Sequence, residues 1–291
     1  MSGLGRPTGR GSLRYRVITV LAALAVVAGC LAPLFADPSA KDRIATDPQP
    51  ELFDDATIAP LGRQIDDQGA QAQRFMYQWW AQHDTAAHDE DFVRWLEDTL
   101  PAPPTASQRS PELAAVAALA PERTAAGVTA ATWLEVHGKK DVWKLYAHDL
   151  GEITPADAAD ELRGDVKDML SMAKTVANDL GTTYQQSAPY VLDPSLRPDH
   201  DVAPGQVCPC SYPSSHAADS AAARTYLAAL APQRAAEYRW MEDEVAYSRM
   251  YMAGHVVSDI TAGTLLGDMI GEYFLVTRTD APPPPLPPVA R

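Results

Sequence analysis

Ser248-Arg249-Met250-Tyr251-Met252-Ala253-Gly254-His255-Val256-Val257-Ser258-Asp259 is the stretch from which the rest of the chain is read. A helix that begins near His255 carries Asp259 one turn further on, on the same face as the imidazole. A carboxylate there accepts a hydrogen bond from one ring nitrogen. That fixes the tautomer and leaves the other nitrogen free to attack or to bind. Gly254 permits the tight backbone that such a helix entry needs. Arg249 adds a permanent cation whose planar fork suits phosphate oxygens.

Tyr212-Pro213-Ser214-Ser215-His216 lies upstream and opens a strongly helical run, Ala217 to Ala229. Backbone N–H groups at a helix start point outward and favour an anion. Two histidines, one arginine and one helix N-terminus together predict a phosphate-sized site.

Ser-Arg-x5-His-x3-Asp preceded by Pro-Ser-Ser-His resembles the two C-terminal signatures of the type 2 phosphatidic acid phosphatase and vanadium haloperoxidase superfamily, in which the latter is usually Pro-Ser-Gly-His. In size and arrangement the chain is similar to the soluble, exported branch, class A bacterial acid phosphatases. The resemblance runs from about Asp165 to Thr279. It implies that His255 is the nucleophile and forms a phosphohistidine, that Asp259 orients it, and that His216 protonates the leaving oxygen. It also implies that Arg249 and Ser214 hold the phosphoryl oxygens, helped by the backbone N–H at Ser215. The serine at 215, where the family has glycine, is tolerable at negative φ and crowds the oxygens at positive φ.

The family's first signature, Lys-x6-Arg-Pro, is degraded. One alignment places it at 181–190, where Tyr184, Pro189 and Tyr190 agree but the lysine has become Gly181 and the arginine Ala188. The other uses Arg197-Pro198 and puts Tyr190 where lysine belongs. The first is favoured because aromatic positions agree on both sides; Arg197 then reaches in from the following loop as a displaced substitute. Phosphoryl transfer relies on positioning and on cations at the equatorial oxygens. Losing one preorganised donor typically costs ~10²–10³ in rate.

Abundant alanine and apolar residues at helical spacing independently argue for an all-α fold, a single helical bundle over 67–279. The formal net charge is −14, and the first 36 residues carry four arginines and no acid, so the remainder is more acidic still. Such a surface argues against a nucleic-acid partner. A local basic pocket for a small phosphorylated substrate is compatible with it.

Arg6, Arg10, Arg14 and Arg16 precede the apolar run Val17 to Ala36, which reads as an export signal. Three endings stay open: cleavage near Ala36, a lipobox at Val27-Ala28-Gly29-Cys30 with acylation of Cys30, or an uncleaved anchor. The expected location is extracellular or cell-envelope, with membrane contact only through that signal or a lipid. Residues 37–66 read as a polar linker or surface-hugging arm, and 280–291 as a Pro-rich disordered tail. Phe75 to Trp80 with Phe92 and Trp95 read as core helices rather than a substrate wall. His83, His88 and their acidic neighbours read as a helix break with acidic caps rather than a metal site. Pro111 reads as the first turn of a helix capped by Ser110, and Thr154 as the cap of the next long helix. Lys174 reads as a solvated lysine, and Cys208 and Cys210 as a loop staple.

Hydrolysis of phosphate monoesters, without cofactor or metal, is the first functional expectation. A vanadate-dependent haloperoxidase is the second, since the same cradle holds vanadate. A catalytically silent envelope protein that binds an anion is the third.

Overall fold

Helix-forming residues recur along the whole chain, and a computed structural model describes residues 37–197 and 210–285. Those residues form eleven α-helices and no strand, only an isolated bridge between Ser187 and Cys210. In order the helices are α1 (Ala40–Thr46), α2 (Asp55–Trp80), α3 (Asp89–Thr99), α4 (Ala106–Leu119), α5 (Ala125–His137), α6 (Asp141–Gly151), α7 (Ala156–Tyr184), α8 (Pro189–Leu192), α9 (Ser215–Leu230), α10 (Ala235–Tyr251) and α11 (Val257–Arg278). The architecture is the all-α bundle that the apolar spacing predicts.

Helix α11 is the axis. It is buried along nearly its whole length and packs against α9, α2 and α7. Its closest approach is to α9. A Cβ added at Gly263 or Gly267 would lie 2.3 Å from the carbonyl oxygen of Ser214 or Ala218, respectively. Only glycine lets backbones come so near. The pairing advances in step along both helices, so α9 and α11 run parallel, with their N-termini at one end. Those two N-termini carry the histidine motifs.

Residues 37–66 are not a linker. They form α1 and the first part of α2, and they pack on the body. Arg43 Nε donates to Asp141 at 2.8 Å, Trp133 Nε1 donates to the Asp47 carbonyl at 2.9 Å, and Leu61 and Ile65 are buried. Pro60 sits inside α2 near its start, where it forfeits only the bond to the Ala56 carbonyl. Helix α4 also begins a turn earlier than Pro111 suggested. Thr105 caps it in a reciprocal box with Gln108, and the extra turn carries Arg109. Thr154 does not cap α7; its hydroxyl donates to the Leu150 carbonyl instead. The aromatic run is core: Phe92 stacks on Tyr273 at 3.9 Å between centroids, beside Trp79. Residues 1–36, read above as an export signal, residues 198–209 with Cys208, and residues from 286 lie outside the described residues; Cys210 is disulfide-bonded. Among the described residues, no helix is long and apolar enough to cross a membrane.

The bundle buries several carboxylates. Burial pushes Glu244 and Glu272 up to about 8 and Asp243 up to about 7. An unfolded chain ionises them near pH 4. Above that pH the folded state binds more protons than the unfolded one. Their stabilisation is therefore complete in acid and is lost as pH rises through 7 to 8. His216 and His255, held neutral by burial, oppose this trend only below about pH 6.5. Between pH 6.5 and 8.5 these carboxyls, joined by the buried Asp219 pushed up to about 8, dominate the slope. Thermal scans should show Tm falling by about 5–10 °C over that interval. Glu244→Gln with Glu272→Gln should flatten the slope.

Candidate active site

The first turn of α11 is built around Asp259. Its carboxylate accepts from the Val256 N–H at 3.0 Å, closing the helix start, and from Gln186 Nε2 at 3.0 Å. Arg109 Nη2 reaches the same carboxylate at 3.2 Å, with both side chains buried. The Asp259 carbonyl accepts from Ser214 N–H at 2.9 Å, tying the start of α11 to the start of α9. The left-handed residue of the turn is Ala253, at φ 54°, rather than Gly254.

Asp259 does not hold the imidazole as the His-x3-Asp spacing suggested. The His255 Nδ1 lies 3.9 Å from its nearer oxygen, beyond hydrogen-bond reach. Nδ1–H donates instead to the Ser211 carbonyl at 2.8 Å. One ring nitrogen is committed all the same, here by a backbone carbonyl, which puts the proton on Nδ1 and the lone pair on Nε2. The carboxylate is turned away because Arg109, Gln186 and the helix start already occupy it. Arg109 also donates to Ser211 Oγ at 2.9 Å and to the Ser187 carbonyl at 3.1 Å. It therefore braces the strand of chain whose carbonyl orients His255.

A cavity of about 400 Å³ opens at this end of the bundle, lined by His255, His216, Arg249, Ser215 and Arg197 among others. This is the size of a small-molecule site, about 300–1,000 Å³. Ser214 is not among the lining groups. It is fully buried and its hydroxyl caps α9 at the Ala217 N–H. Ser215 takes its place, with helical backbone at the first position of α9, so its Cβ is unstrained. Gly181 and Ala188 from one alignment of the degraded signature, and Tyr190 and Arg197 from the other, all face the cavity.

Burial holds His255 down at about 3, reinforced by the charge of Arg249, so its Nε2 is unprotonated across the ordinary pH range. His216 is held well below its usual value for the same reasons, burial first and Arg249 next. Its Nε2–H donates to the Glu135 carbonyl at 3.1 Å, leaving Nδ1 to exchange protons. Burial lowers Arg249 to about 10, still charged at neutral pH. Its Nη2 donates to the Ala131 carbonyl at 3.2 Å.

Sequence reasoning missed one group that lines the cavity, Glu135, and one bonded to a lining residue, Lys139. Glu135, on α5, pairs with Arg197 at 2.9 Å and lies 3.9 Å from Arg249. Lys139, just past α5, donates to Ser215 Oγ at 2.8 Å. No local pattern marks either; both reach the site across space from the α5–α6 corner. An incoming phosphoryl group competes with Glu135 for two guanidinium groups. Glu135→Gln should therefore tighten inhibition by inorganic phosphate about three- to tenfold, measured as Ki.

A family model for the PAP2 superfamily matches residues 169–281. That stretch of the chain is similar to the PAP2 superfamily. The match spans the second half of α7 through α11 and includes His216, Arg249, His255 and Asp259, while Arg109, Glu135 and Lys139 lie upstream of it. The match supports a phosphatase-type or haloperoxidase-like function. Among curated proteins, none matches the chain.

Proposed function

We propose that this protein is an exported phosphatase that hydrolyses phosphate monoesters through a phosphohistidine at His255, in the manner of the soluble class A branch. One observation carries the reading: two imidazoles line one cavity, and Nδ1 of His255 is committed to the Ser211 carbonyl, so Nε2 keeps its lone pair. Nε2 attacks phosphorus as the bond to the leaving oxygen breaks in line. Arg249, Ser215 and the N–H groups at the start of α9 carry the phosphoryl charge. Arg197 joins them as the anion displaces Glu135. A monoanionic substrate brings one proton, which His216 Nδ1 takes and passes to the leaving oxygen. In the second step Nδ1 accepts a proton from water, whose oxygen attacks phosphorus and releases His255. The arginine-bearing, then apolar, first 36 residues support export, and the acidic composition favours a small substrate over nucleic acid.

Resident vanadate fits the residues less well. Glu135 already pairs with Arg197 and reduces the positive charge available to a permanently bound multivalent anion. The test is a paired assay: p-nitrophenyl phosphate between about pH 5 and 7, and halide with peroxide and vanadate. Hydrolysis blocked by vanadate is expected. Halogenation without hydrolysis replaces this reading with a haloperoxidase. Silence in both leaves an anion-binding envelope protein.

A further inference from the structure

The chain has six lysines, Lys41, Lys139, Lys140, Lys144, Lys167 and Lys174, in a protein of net charge −14. All six stand on α1, α7 and the α5–α6 corner with α6. They form one connected set. Lys41, Lys144 and Lys167 line a common cleft with Arg163 and His148. Lys144 feels the charges of Lys140 and Lys167, and Lys139 those of Lys140 and Lys174. Lys167 and Lys174 are seven residues apart on α7, two turns and roughly 10 Å along one face. That face continues through Ala177, Asn178 and Gly181, which line the catalytic cavity. Lys139, at the inner end, is bonded to Ser215, also in the cavity.

The arginines behave differently. Arg94, Arg163, Arg234, Arg239 and Arg278 each pair with a carboxylate nearby. Of the lysines only Lys41 is in an ion pair, with Glu152 at 3.5 Å, among the described residues. The buried Asp219 carboxyl faces Lys139, Lys140 and Lys174, and Asp141 acts on Lys144, so the clustered like charges are only partly balanced and repel one another. An acidic protein that gathers every lysine into one strip ending at an anion cavity has a surface complementary to an extended anion.

We propose that the site takes a phosphoryl compound carrying further anionic groups, which lie along this lysine strip while the terminal phosphoryl enters the cavity. The inference rests on the phosphatase reading above and names its substrate class. Lys139 is the inner anchor. An ammonium has donors only, so Ser215 Oγ must accept from it, and the hydroxyl hydrogen is left to point at the phosphoryl oxygens. For linear tripolyphosphate, His255 Nε2 bonds the terminal phosphorus, the bridging P–O bond breaks, and pyrophosphate leaves with the proton from His216. Water then hydrolyses the P–N bond.

The purified full chain is assayed on tripolyphosphate and on p-nitrophenyl phosphate, which has no distal anion. Lys144 and Lys167 are distant from the chemistry and both reach solvent, so Lys144→Gln with Lys167→Gln leaves the fold intact. The double variant should raise KM for tripolyphosphate about five- to tenfold, with p-nitrophenyl phosphate unchanged within about twofold. Added salt should weaken tripolyphosphate turnover more steeply than p-nitrophenyl phosphate turnover in the parent, and less so in the variant. Equal effects on both substrates, or none, overturn the proposal. So does lysine-dependent binding to phosphatidylserine vesicles without any preference for tripolyphosphate, which makes the strip a membrane face. If His255→Gln leaves hydrolysis of both substrates intact, the phosphatase reading beneath has failed instead.

Discussion

His255→Gln is expected to abolish turnover of p-nitrophenyl phosphate, by ~10⁴-fold or more, because a nucleophile that forms the intermediate has no substitute in the cavity. The size of the loss follows from the arrangement. His255 is the group whose free ring nitrogen keeps a lone pair at working pH, since burial and Arg249 hold it at about 3. His216 is committed through Nε2 to the Glu135 carbonyl and serves the proton. Glutamine retains a donor able to meet the Ser211 carbonyl, so the cavity should survive. Inhibition or quenching by inorganic phosphate should persist within about threefold, because Arg249 and Ser215 remain. A matching experiment follows the intermediate. Acid-labile, base-stable phosphate should appear on the parent after rapid quenching and be missing from the variant. The same low value has a consequence for the pH profile. Protonation of His255 should therefore not shape kcat/KM at pH 5 to 7; an acid limb there belongs to the substrate's own phosphate. A variant that keeps more than a few per cent of parent activity rules out the phosphohistidine route.

The bundle was legible in sequence because its signal is repeated: apolar residues at helical spacing in every segment, and two motifs whose order brings their helix starts together. His216, Arg249, Ser215, Arg197 and His255 share one cavity, as the motifs implied. What failed did so for local reasons. Spacing placed Asp259 beneath His255, but spacing is blind to competitors, and three donors already hold that carboxylate. Ser214 looked like a phosphate ligand and is a helix cap. Pro111 reads as a helix start, yet it lies about a turn inside its helix. That boundary hid Arg109, which sits in the turn that Pro111 seemed to exclude. Glu135 and Lys139 had no signature, because their role arises from the packing of α5 on α10, which brings them to the start of α9. The electrostatics of the cavity therefore depend on residues outside the family's motifs, and the degraded first signature is only part of its charge balance.

Arg109→Met should be the most damaging substitution outside the cavity, costing about 3–5 kcal/mol, because it strands a buried carboxylate. Asp259 is fully buried, and Arg109 is the only cation within ion-pair distance of it among the described residues. Burial already raises its pKa against the pull of Arg109. Without the arginine the folded-state value climbs further, while the unfolded value stays near 4. The folded carboxyl then holds its proton to higher pH, so the penalty grows as pH rises and shrinks in acid. Urea melts at pH 5 and pH 8 separate this from simple loss of packing, which has no such slope. Asp259→Asn on the Arg109→Met background should recover part of the loss, and the double-mutant cycle should show strong coupling. Activity should fall with stability, for a geometric reason. Arg109 joins Ser211, whose carbonyl orients His255, to Asp259, whose backbone carbonyl holds the start of α9. Releasing it loosens the nucleophile and the phosphate-binding turn together. In the acid-rescued variant kcat should stay depressed while phosphate still binds. Recovery of full kcat at pH 5 would mean that Arg109 stabilises the fold without positioning His255.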